Sequence, residues 1–331
     1  MTANIDTTTG IPAIAYTGDK TWHGLGTHVE LDAPIEEWRN AAGLNWTANK
    51  EPLYIARNDT LIEIEDRVAI TRSDTNGVLG IVSSKYEPIQ PETVVDFISS
   101  MRRNVGLTPE TLGALDEGRK IWGLIRANQG FNLVGGDAVE RFFAFVTSFN
   151  GSLPTCFMET AVRIVCENTL LAALRNSIFL LKARHTSSGT QRFTDYAAAY
   201  SRLDNLVGQD DKWQKFSEAA KFLATKPVTN AILREYFTKV FNFQEQENAK
   251  DGELTVRSEK RMTNLIRLFE TGRGSDLASA SGTMWGAYNA VTEQIDHYAG
   301  RTMDSRVQGA FWGRTANIKR FALDEALRIA A

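Results

Sequence analysis

Hydrophobic and polar positions follow two different periods along the chain, and the change occurs near residue 190. Between about residues 51 and 190, short β-branched and aromatic runs are separated by turn signals, as where Ile62 and Ile64 alternate with Glu63 and Glu65. After residue 190, apolar residues recur at the spacing of amphipathic helices. The pattern predicts an α+β fold, with an antiparallel β-meander and packed helices in the first part and a mostly helical C-terminal part.

Turn and cap residues place the expected elements. In the first part they are a helix over 34–43, a meander over 51–83, a helix from Pro91, a hairpin over 112–127 and a strand over 142–149. An apolar stripe from Pro154 to about Asn176 predicts a long helix, and a short strand is expected over 178–182. Helices are then expected over 192–206, 211–225, 229–242, 256–270, 282–298 and 306–330.

Three regions follow from this pattern. Residues 1–20 are rich in Thr, Gly and Asp without periodicity, which predicts an N-terminal arm. Residues 21–190 are expected to form the α+β core domain, and residues 191–331 a helical region packed on that core.

The composition is that of a globular protein. The chain has 331 residues, of which 43% are hydrophobic and 23% charged, and this excludes collagen-like, low-complexity and disordered classes. The two cysteines, Cys156 and Cys166, exclude a disulfide framework and favour a reducing compartment. No apolar stretch approaches the ~20 residues of a membrane span, and the polar start lacks a signal-peptide pattern. These features predict a cytoplasmic protein that does not enter a membrane.

Charge is distributed unevenly although the net charge is only −3. The first 100 residues carry 7 Lys and Arg against 15 Asp and Glu, so the remainder of the chain has a positive balance. An ordinary solvated surface is one explanation. The other is a basic face in the later part of the chain that meets an anion.

Sequence motifs give no support for the common enzyme classes. The chain contains no P-loop, no HExxH or EF-hand motif, no GxSxG elbow and no GxGxxG before a helix. We therefore expect no catalytic residue, no metal and no cofactor. One enzymatic alternative is a metal-dependent nuclease, for which the candidate side chains are Glu63, Glu65, Asp116, Glu117 and Lys120.

Cationic residues form the strongest candidate site. Between positions 175 and 192 the chain has no acidic residue but holds Arg175, Lys182, Arg184, His185 and Arg192. Cations mixed with Ser, Thr and Gly are suited to contacts with phosphates. The further candidates for nucleic-acid binding are Lys260, Arg261, Lys319 and Arg320, the last two interleaved with Phe311, Trp312 and Phe321. Aromatic rings beside cations are typical of single-strand binding platforms, although aromatic residues at helical spacing more often belong to a core.

Several stretches together resemble a known family. They are Trp22–Gly26 (WHGLG), Val82–Pro91 (VSSKYEPIQP), Thr147–Ser152 (TSFNGS), Arg163–Leu174 (RIVCENTLLAAL), His185-Thr186 and Gly282–His297 (GTMWGAYNAVTEQIDH). The chain is similar, over nearly its whole length, to the phage- and plasmid-like proteins that carry the domain of unknown function number 932. The family often has His-Asp-Gly-Ser where this chain has Phe149-Asn150-Gly151-Ser152, which weakens a catalytic interpretation of that turn.

The resemblance implies a protein of a mobile element that acts inside a bacterial host, where replication, recombination and repair of DNA are frequent tasks. The predicted meander, helix and hairpin are also loosely similar to the core of ring-forming single-strand annealing proteins, which is an analogy of fold alone. The favoured hypothesis is a non-enzymatic binder of single-stranded DNA that forms a homo-oligomer. The alternative is a structural or host-interaction phage protein without DNA binding, in which the acidic first third binds protein and the basic clusters make subunit contacts.

Overall fold

The computed structural model describes residues 5–18, 25–163, 178–200, 211–246, 256–298 and 314–331. The chain divides into two compact units. Unit 1 comprises residues 1–128, 142–159 and 178–208, and unit 2 comprises residues 129–141, 160–177 and 209–331. The division therefore differs from the predicted boundary at residue 190, because the segment around residues 129–141 clusters with the C-terminal helices.

The described residues form ten strands and eight helices. The strands are β1 (Ile14–Tyr16), β2 (Thr27–His28), β3 (Ala48–Arg57), β4 (Thr60–Arg72), β5 (Val78–Ser83), β6 (Thr108–Leu115), β7 (Lys120–Leu133), β8 (Asp137–Ser148), β9 (Thr155–Arg163) and β10 (Ile178–Ala183). The helices are α1 (Ile35–Ala41), α2 (Pro91–Val105), α3 (Ser187–Tyr200), α4 (Asp211–Ala224), α5 (Asn230–Gln246), α6 (Val256–Thr271), α7 (Met284–Tyr298) and α8 (Arg314–Ala330). These elements confirm the α+β fold.

Strands β3, β4 and β5 form a three-stranded antiparallel sheet in sequential order, as the meander predicts. Within this meander the sequence predicts separate strands for LIEIE (Leu61–Glu65) and RVAIT (Arg67–Thr71), but both runs lie in the single 13-residue strand β4. A register shift in the β3–β4 pairing, between Pro52 and Tyr54 of β3, lies between these two runs. Such irregularities bend a strand without ending it.

The second sheet has seven strands in the order β10-β9-β8-β7-β6-β1-β2. Residues 14–16, within the predicted N-terminal arm, are the fully buried strand β1, which pairs with β6 and β2. Ile5 adds a bridge to Leu115. The expectation of an arm is therefore wrong for these residues, because a three-residue strand is too short to show a period in the sequence.

The long helix predicted from Pro154 is wrong where the structure describes it. Residues 155–163 are the strand β9, which lies between β8 and β10. Thr155 to Glu159 are all buried, so this part of the strand has no solvent-exposed face. A run that is apolar on both faces does not separate a buried strand from a helix. The remainder of the predicted helix, residues 164–177, lies outside the described residues.

Aromatic packing holds the elements of unit 1 together. Phe97 of α2 contacts Phe157 of β9 and Phe193 of α3, with ring centroids 5.0 and 5.4 Å apart. Phe193 also lies 5.7 Å from Phe145 of β8. All four rings are at most 2% exposed, so their burial fixes the start of α3 against the sheet.

Unit 2 contains helices α4 to α8, which agrees with a mostly helical C-terminal part. The hydroxyl of Tyr236 in α5 donates a hydrogen bond of 3.0 Å to the carbonyl oxygen of Ala322 in α8. From α7, Trp285 donates its indole N–H to the buried carboxylate of Asp137, which also accepts a bond from Ser279. Within the ranges that the structure describes, no helix is both long enough and apolar enough to span a membrane.

Candidate nucleic-acid interface

The candidate site is the segment that joins strand β10 to helix α3 in unit 1. Strand β10 pairs with β9, where Lys182 lies opposite Cys156 and Ala183 opposite Thr155. After two further residues, the side chain of Thr186 accepts a hydrogen bond of 3.2 Å from the backbone N–H of Gly189. This is an N-cap, and it starts helix α3 three residues after Arg184.

Alternation along the strand separates the cations from the core. Leu181 and Ala183 are buried, whereas Lys182 and Arg184 are exposed. In α3, Arg192 is exposed, whereas the next residue, Phe193, is buried in the core. The structure therefore places Lys182, Arg184 and Arg192 on the surface of one short segment, which we call the basic segment (residues 182–192).

His185 does not belong to this surface. It is 7% exposed, and its ring stacks on that of Tyr86 at a centroid distance of 4.6 Å. Its Nε2 lies 3.1 Å from the carbonyl oxygen of Leu153, and its Nδ1 lies 3.3 Å from that of Glu87. Burial lowers the pKa of His185 to about 4, although both carbonyl groups favour the protonated ring. His185 was predicted to contact nucleic acid, and the structure places it inside the protein instead.

Three of the stretches that carry the family resemblance meet around His185. The hydroxyl of Tyr86 donates a hydrogen bond of 2.5 Å to the carbonyl oxygen of Ser148, and the N–H of Glu87 donates one of 3.1 Å to the carbonyl oxygen of His185. The side chain of Ser148 closes its own turn by bonding both the N–H and the carbonyl oxygen of Leu153. We call this group of residues 86–87, 148–153 and 185 the buried junction. It holds the basic segment in place.

The turn that departs from the family pattern has a structural role. Phe149 is fully buried and packs edge-on against Trp46 at 5.1 Å. Gly151 has a φ of 73°, a left-handed conformation that favours glycine. Asn150 approaches Gly80 so closely that a Cβ at Gly80 would overlap it. These contacts indicate that the turn packs against strand β5.

The remaining predicted cations have mixed positions. Lys319 in α8 was predicted to contact nucleic acid, but it is 2% exposed and the structure places it among the buried residues of unit 2, next to Ile318. Arg261 in α6 is half-buried and lies over the ring of Phe241 at 4.9 Å. Lys260 and Arg320 are exposed in unit 2. Arg175 lies outside the described residues.

The carboxylates considered for a nuclease are dispersed. Asp116 lies at the turn between β6 and β7 and forms ion pairs with Arg119 and Lys120 at 3.5 and 3.6 Å. Glu63 and Glu65 are on strand β4 and are exposed. Over the residues that the structure describes, no three His, Cys, Asp or Glu side chains are arranged to hold a metal ion.

One surface feature was missed by the sequence interpretation. Strands β3 and β4 continue beyond their register shift as a two-stranded hairpin with large apolar side chains exposed at Tyr54, Ile55, Leu61 and Ile62. The signal was present in the sequence. Tyr54 and Ile55 are adjacent in one strand, and Leu61 and Ile62 are adjacent in the other. Adjacent residues of a strand point to opposite faces, so a core on one face of the hairpin cannot bury all four side chains.

Comparisons with known proteins give one match. A family model described as "Domain of unknown function (DUF932)" matches residues 78–320. Neither the curated proteins nor the solved structures contain a match to the chain.

Proposed function

Because the chain belongs to the DUF932 family, whose description assigns no activity, we propose its function from its own residues: it is a non-enzymatic nucleic-acid-binding protein that contacts phosphates through the basic segment. The observation that carries the proposal is the exposure of Lys182, Arg184 and Arg192 in a stretch of sequence that has no acidic residue from Arg175 to Arg192. We also propose that the protein belongs to a mobile element and acts in the bacterial cytoplasm. Both parts of the proposal rest on the sequence.

The chemistry of the segment supports contacts to a phosphate backbone. Two arginines offer bidentate hydrogen bonds to phosphate oxygens. The hydroxyl groups of Ser187 and Ser188 lie at the first turn of α3, where the helix dipole favours an anion. Contacts of this kind fix a nucleic acid in place but do not select its sequence.

A preference for single strands remains part of the proposal. It rests on the aromatic residues that are interleaved with cations near the C-terminal helix, of which Phe311 and Trp312 lie outside the described residues. Stacking of bases on such rings is tolerant of sequence and requires unpaired bases. Duplex DNA of the same length is therefore the necessary comparison.

The test is the fluorescence anisotropy of a labelled single-stranded oligonucleotide titrated with the full chain at several salt concentrations. Replacement of Lys182, Arg184 and Arg192 by Gln should weaken binding, since each lost phosphate contact reduces the electrostatic term. The matched control replaces Arg103, Lys215 and Arg234, three exposed cations elsewhere, by Gln with the same change in net charge. Absence of binding at the lowest salt concentration, or equal losses in the two variants, would contradict the proposal.

A second candidate function is favoured by a separate observation. The apolar hairpin tip lies in the acidic first third of the chain, and exposed apolar patches mark protein-interaction sites more often than nucleic-acid sites. This candidate is a structural or interaction protein. The apolar side chains and the negative charge of the hairpin then define the kind of surface that it binds.

A further inference from the structure

The tip of the β3–β4 hairpin, residues 53–64, is a regular two-stranded ribbon. Beyond the register shift, Tyr54 pairs with Glu63, Ile55 with Ile62, Ala56 with Leu61 and Arg57 with Thr60. Asn58 and Asp59 form the turn with φ values of 49° and 60°. Two left-handed residues of these types are typical of the tight turn that matches the twist of a hairpin. We call residues 53–64 the ribbon.

Both faces of the ribbon carry exposed apolar side chains. Ile55 and Ile62, 53% and 48% exposed, share one face as a cross-strand pair. Tyr54 and Leu61, 51% and 68% exposed, lie on the other. Among the described strands, β5 pairs with β4 only from Arg67 onwards, so the outer edge of Thr60–Glu65 has no strand partner. A two-stranded ribbon of this kind is only marginally stable alone, and its open edges favour pairing with another chain.

The charge around the ribbon restricts its partner. Residues 51–66 contain five acidic side chains and only one basic one, Arg57. Apart from the contact of Asp66 with Arg67 at 3.6 Å, no ion pair joins any of these acidic groups to a cation in the described structure. A second ribbon carries the same charge and would repel it. The surface that fits is therefore both basic and able to receive apolar side chains.

The basic segment of the same unit has the complementary charge. It presents Lys182, Arg184 and Arg192 beside the end strand β10 of the seven-stranded sheet. Carboxylates can take the place of phosphates at such a surface, because both are anions that guanidinium groups bind in a bidentate manner. Strand β10 is last in the order of described strands, and an end strand can accept an added strand.

Among the described residues, no ion pair joins a ribbon carboxylate to Arg184 or Arg192 of the same copy. The base of the ribbon is fixed at Lys50, which binds the carboxylate of Glu87 at 2.9 Å, and at Ala48, whose backbone pairs with the side-chain amide of Gln90. Glu87 in turn bonds the backbone of His185. From Lys50 the strand extends about 17 Å to Ile55, so the tip lies away from this junction.

We infer that the ribbon of one copy docks on the basic segment of a second copy, with its strands along the β10 edge of that copy, Ile55 and Ile62 on one side of the pairing and Leu61 on the other, and the ribbon carboxylates against its cations. The contact is heterologous, since two different surfaces meet, and repetition of it generates a ring or an open chain of copies. Nucleic acid and the ribbon use the same cations. An oligonucleotide that binds the basic segment therefore displaces the ribbon.

The first test is sedimentation velocity of the full chain over a range of protein concentrations. The ribbon variant Ile55→Thr/Leu61→Thr/Ile62→Thr should raise the dissociation constant of self-association by about tenfold or more, because three apolar contacts are lost while strand propensity is kept. The matched control, Ile11→Thr/Leu31→Thr/Val134→Thr, removes three equally exposed apolar side chains elsewhere and should leave it unchanged. A monomeric wild type, or equal effects of the two variants, overturns the inference.

A charge exchange identifies the second surface. Glu63→Lys/Glu65→Lys, on the ribbon and directly after it, and Arg184→Glu/Arg192→Glu on the basic segment should each abolish self-association. An equimolar mixture of the two variants should restore a complex, in which the basic ribbon meets the acidic segment. No recovery in the mixture contradicts the assignment of the basic segment.

The same variants separate this inference from the proposed function. The ribbon variant keeps all three cations, so it should bind oligonucleotide at least as well as wild type. If no variant binds nucleic acid but the association results are as described, the proposed function fails and the inference stands. If the ribbon variant loses oligonucleotide binding while self-association is unaffected, the ribbon is a nucleic-acid contact and the inference fails.

Discussion

Asp6 and Arg72 form an ion pair that is almost completely removed from solvent. Nη1 of Arg72 donates a hydrogen bond of 2.5 Å to Oδ2 of Asp6, and the two side chains are 1% and 2% exposed. The same guanidinium binds both oxygens of Asp74, at 3.0 and 2.8 Å, and lies over the ring of Trp46. This arrangement joins the N-terminal residues to strand β4, and it explains why residues near the chain start are ordered within unit 1.

Removal of Asp6 should therefore be costly. Burial opposes ionisation of Asp6, but hydrogen bonds from Thr8 and Arg72 outweigh it and hold its pKa below the ordinary value. Asp6→Ala leaves a buried guanidinium with one carboxylate partner in place of two, which should lower the free energy of unfolding by about 2–3 kcal/mol. Urea denaturation measures this. Asp66→Ala, at an exposed carboxylate, is the control and should change stability by less than about 0.5 kcal/mol; similar losses in both variants would show that the pair contributes little.

His185 should make stability depend on pH in a defined range. Its pKa in the folded protein, about 4, is below the ordinary value of 6.5. Below pH 6.5 the unfolded chain takes up a proton that the folded chain does not, so the free energy of unfolding should fall by up to about 3 kcal/mol as the pH decreases from 6.5 to 4.

The measurement is urea denaturation at several pH values, with His185→Gln compared to wild type. The variant should lack this part of the pH dependence, while His28→Gln, at an exposed position, should retain it. A slope that His185→Gln leaves unchanged would assign the pH dependence to other groups.

Much of the fold could be predicted from the sequence because local signals and tertiary contacts agree. The helix from Pro91 ends at Gly106 in a left-handed conformation, and the hairpin turn at Asp116–Gly118 has three consecutive positive φ values. Strand β9 could not be predicted in this way, since burial on both faces removes the hydrophobic period that distinguishes a strand from a helix. Strand β1 could not be predicted either, because three residues are too few to show a hydrophobic period.

The candidate site could be predicted only in part, for a different reason. Composition identifies a run of cations, but exposure depends on which side of a strand or helix each one occupies. Lys182 and Arg184 alternate with buried neighbours and reach the surface, whereas His185 and Lys319 face the core. The alternation of Ile62 and Ile64 with Glu63 and Glu65 is typical of a half-buried strand, whereas the structure leaves Ile55 and Ile62 of the ribbon about half exposed.

Gly26 should tolerate no side chain. Its φ of 109° is unfavourable for other residues, and a Cβ there would overlap both the side chain and the carbonyl oxygen of Ile14 in β1. Gly26→Ala should lower the free energy of unfolding by about 2 kcal/mol or more, through backbone strain together with displacement of β1. Gly10→Ala is the matched control, because Gly10 also has a positive φ but faces open space. The difference in the free energy of unfolding between the two variants measures the steric contribution of the added Cβ. Equal losses in both variants would show that the overlap with Ile14 contributes nothing.

Lys319 should influence stability and not nucleic-acid binding. It is buried in α8, so Lys319→Met should leave oligonucleotide affinity unchanged within about twofold, since a side chain without solvent access neutralises no phosphate. The exposed neighbour Arg320 provides the comparison as Arg320→Gln. Anisotropy titrations at one salt concentration measure the oligonucleotide affinity of both variants. A selective loss of affinity in the Lys319 variant would show that α8 opens on binding.

The central claim is tested most directly by the slope of the logarithm of oligonucleotide affinity against the logarithm of salt concentration. Replacement of Lys182, Arg184 and Arg192 by Gln should reduce the magnitude of this slope by about 2, since each single-strand phosphate contact contributes about 0.7. Replacement of Arg103, Lys215 and Arg234 should leave the slope as in wild type. A slope that the first variant does not change, with binding retained, would place the phosphate contacts elsewhere in the molecule.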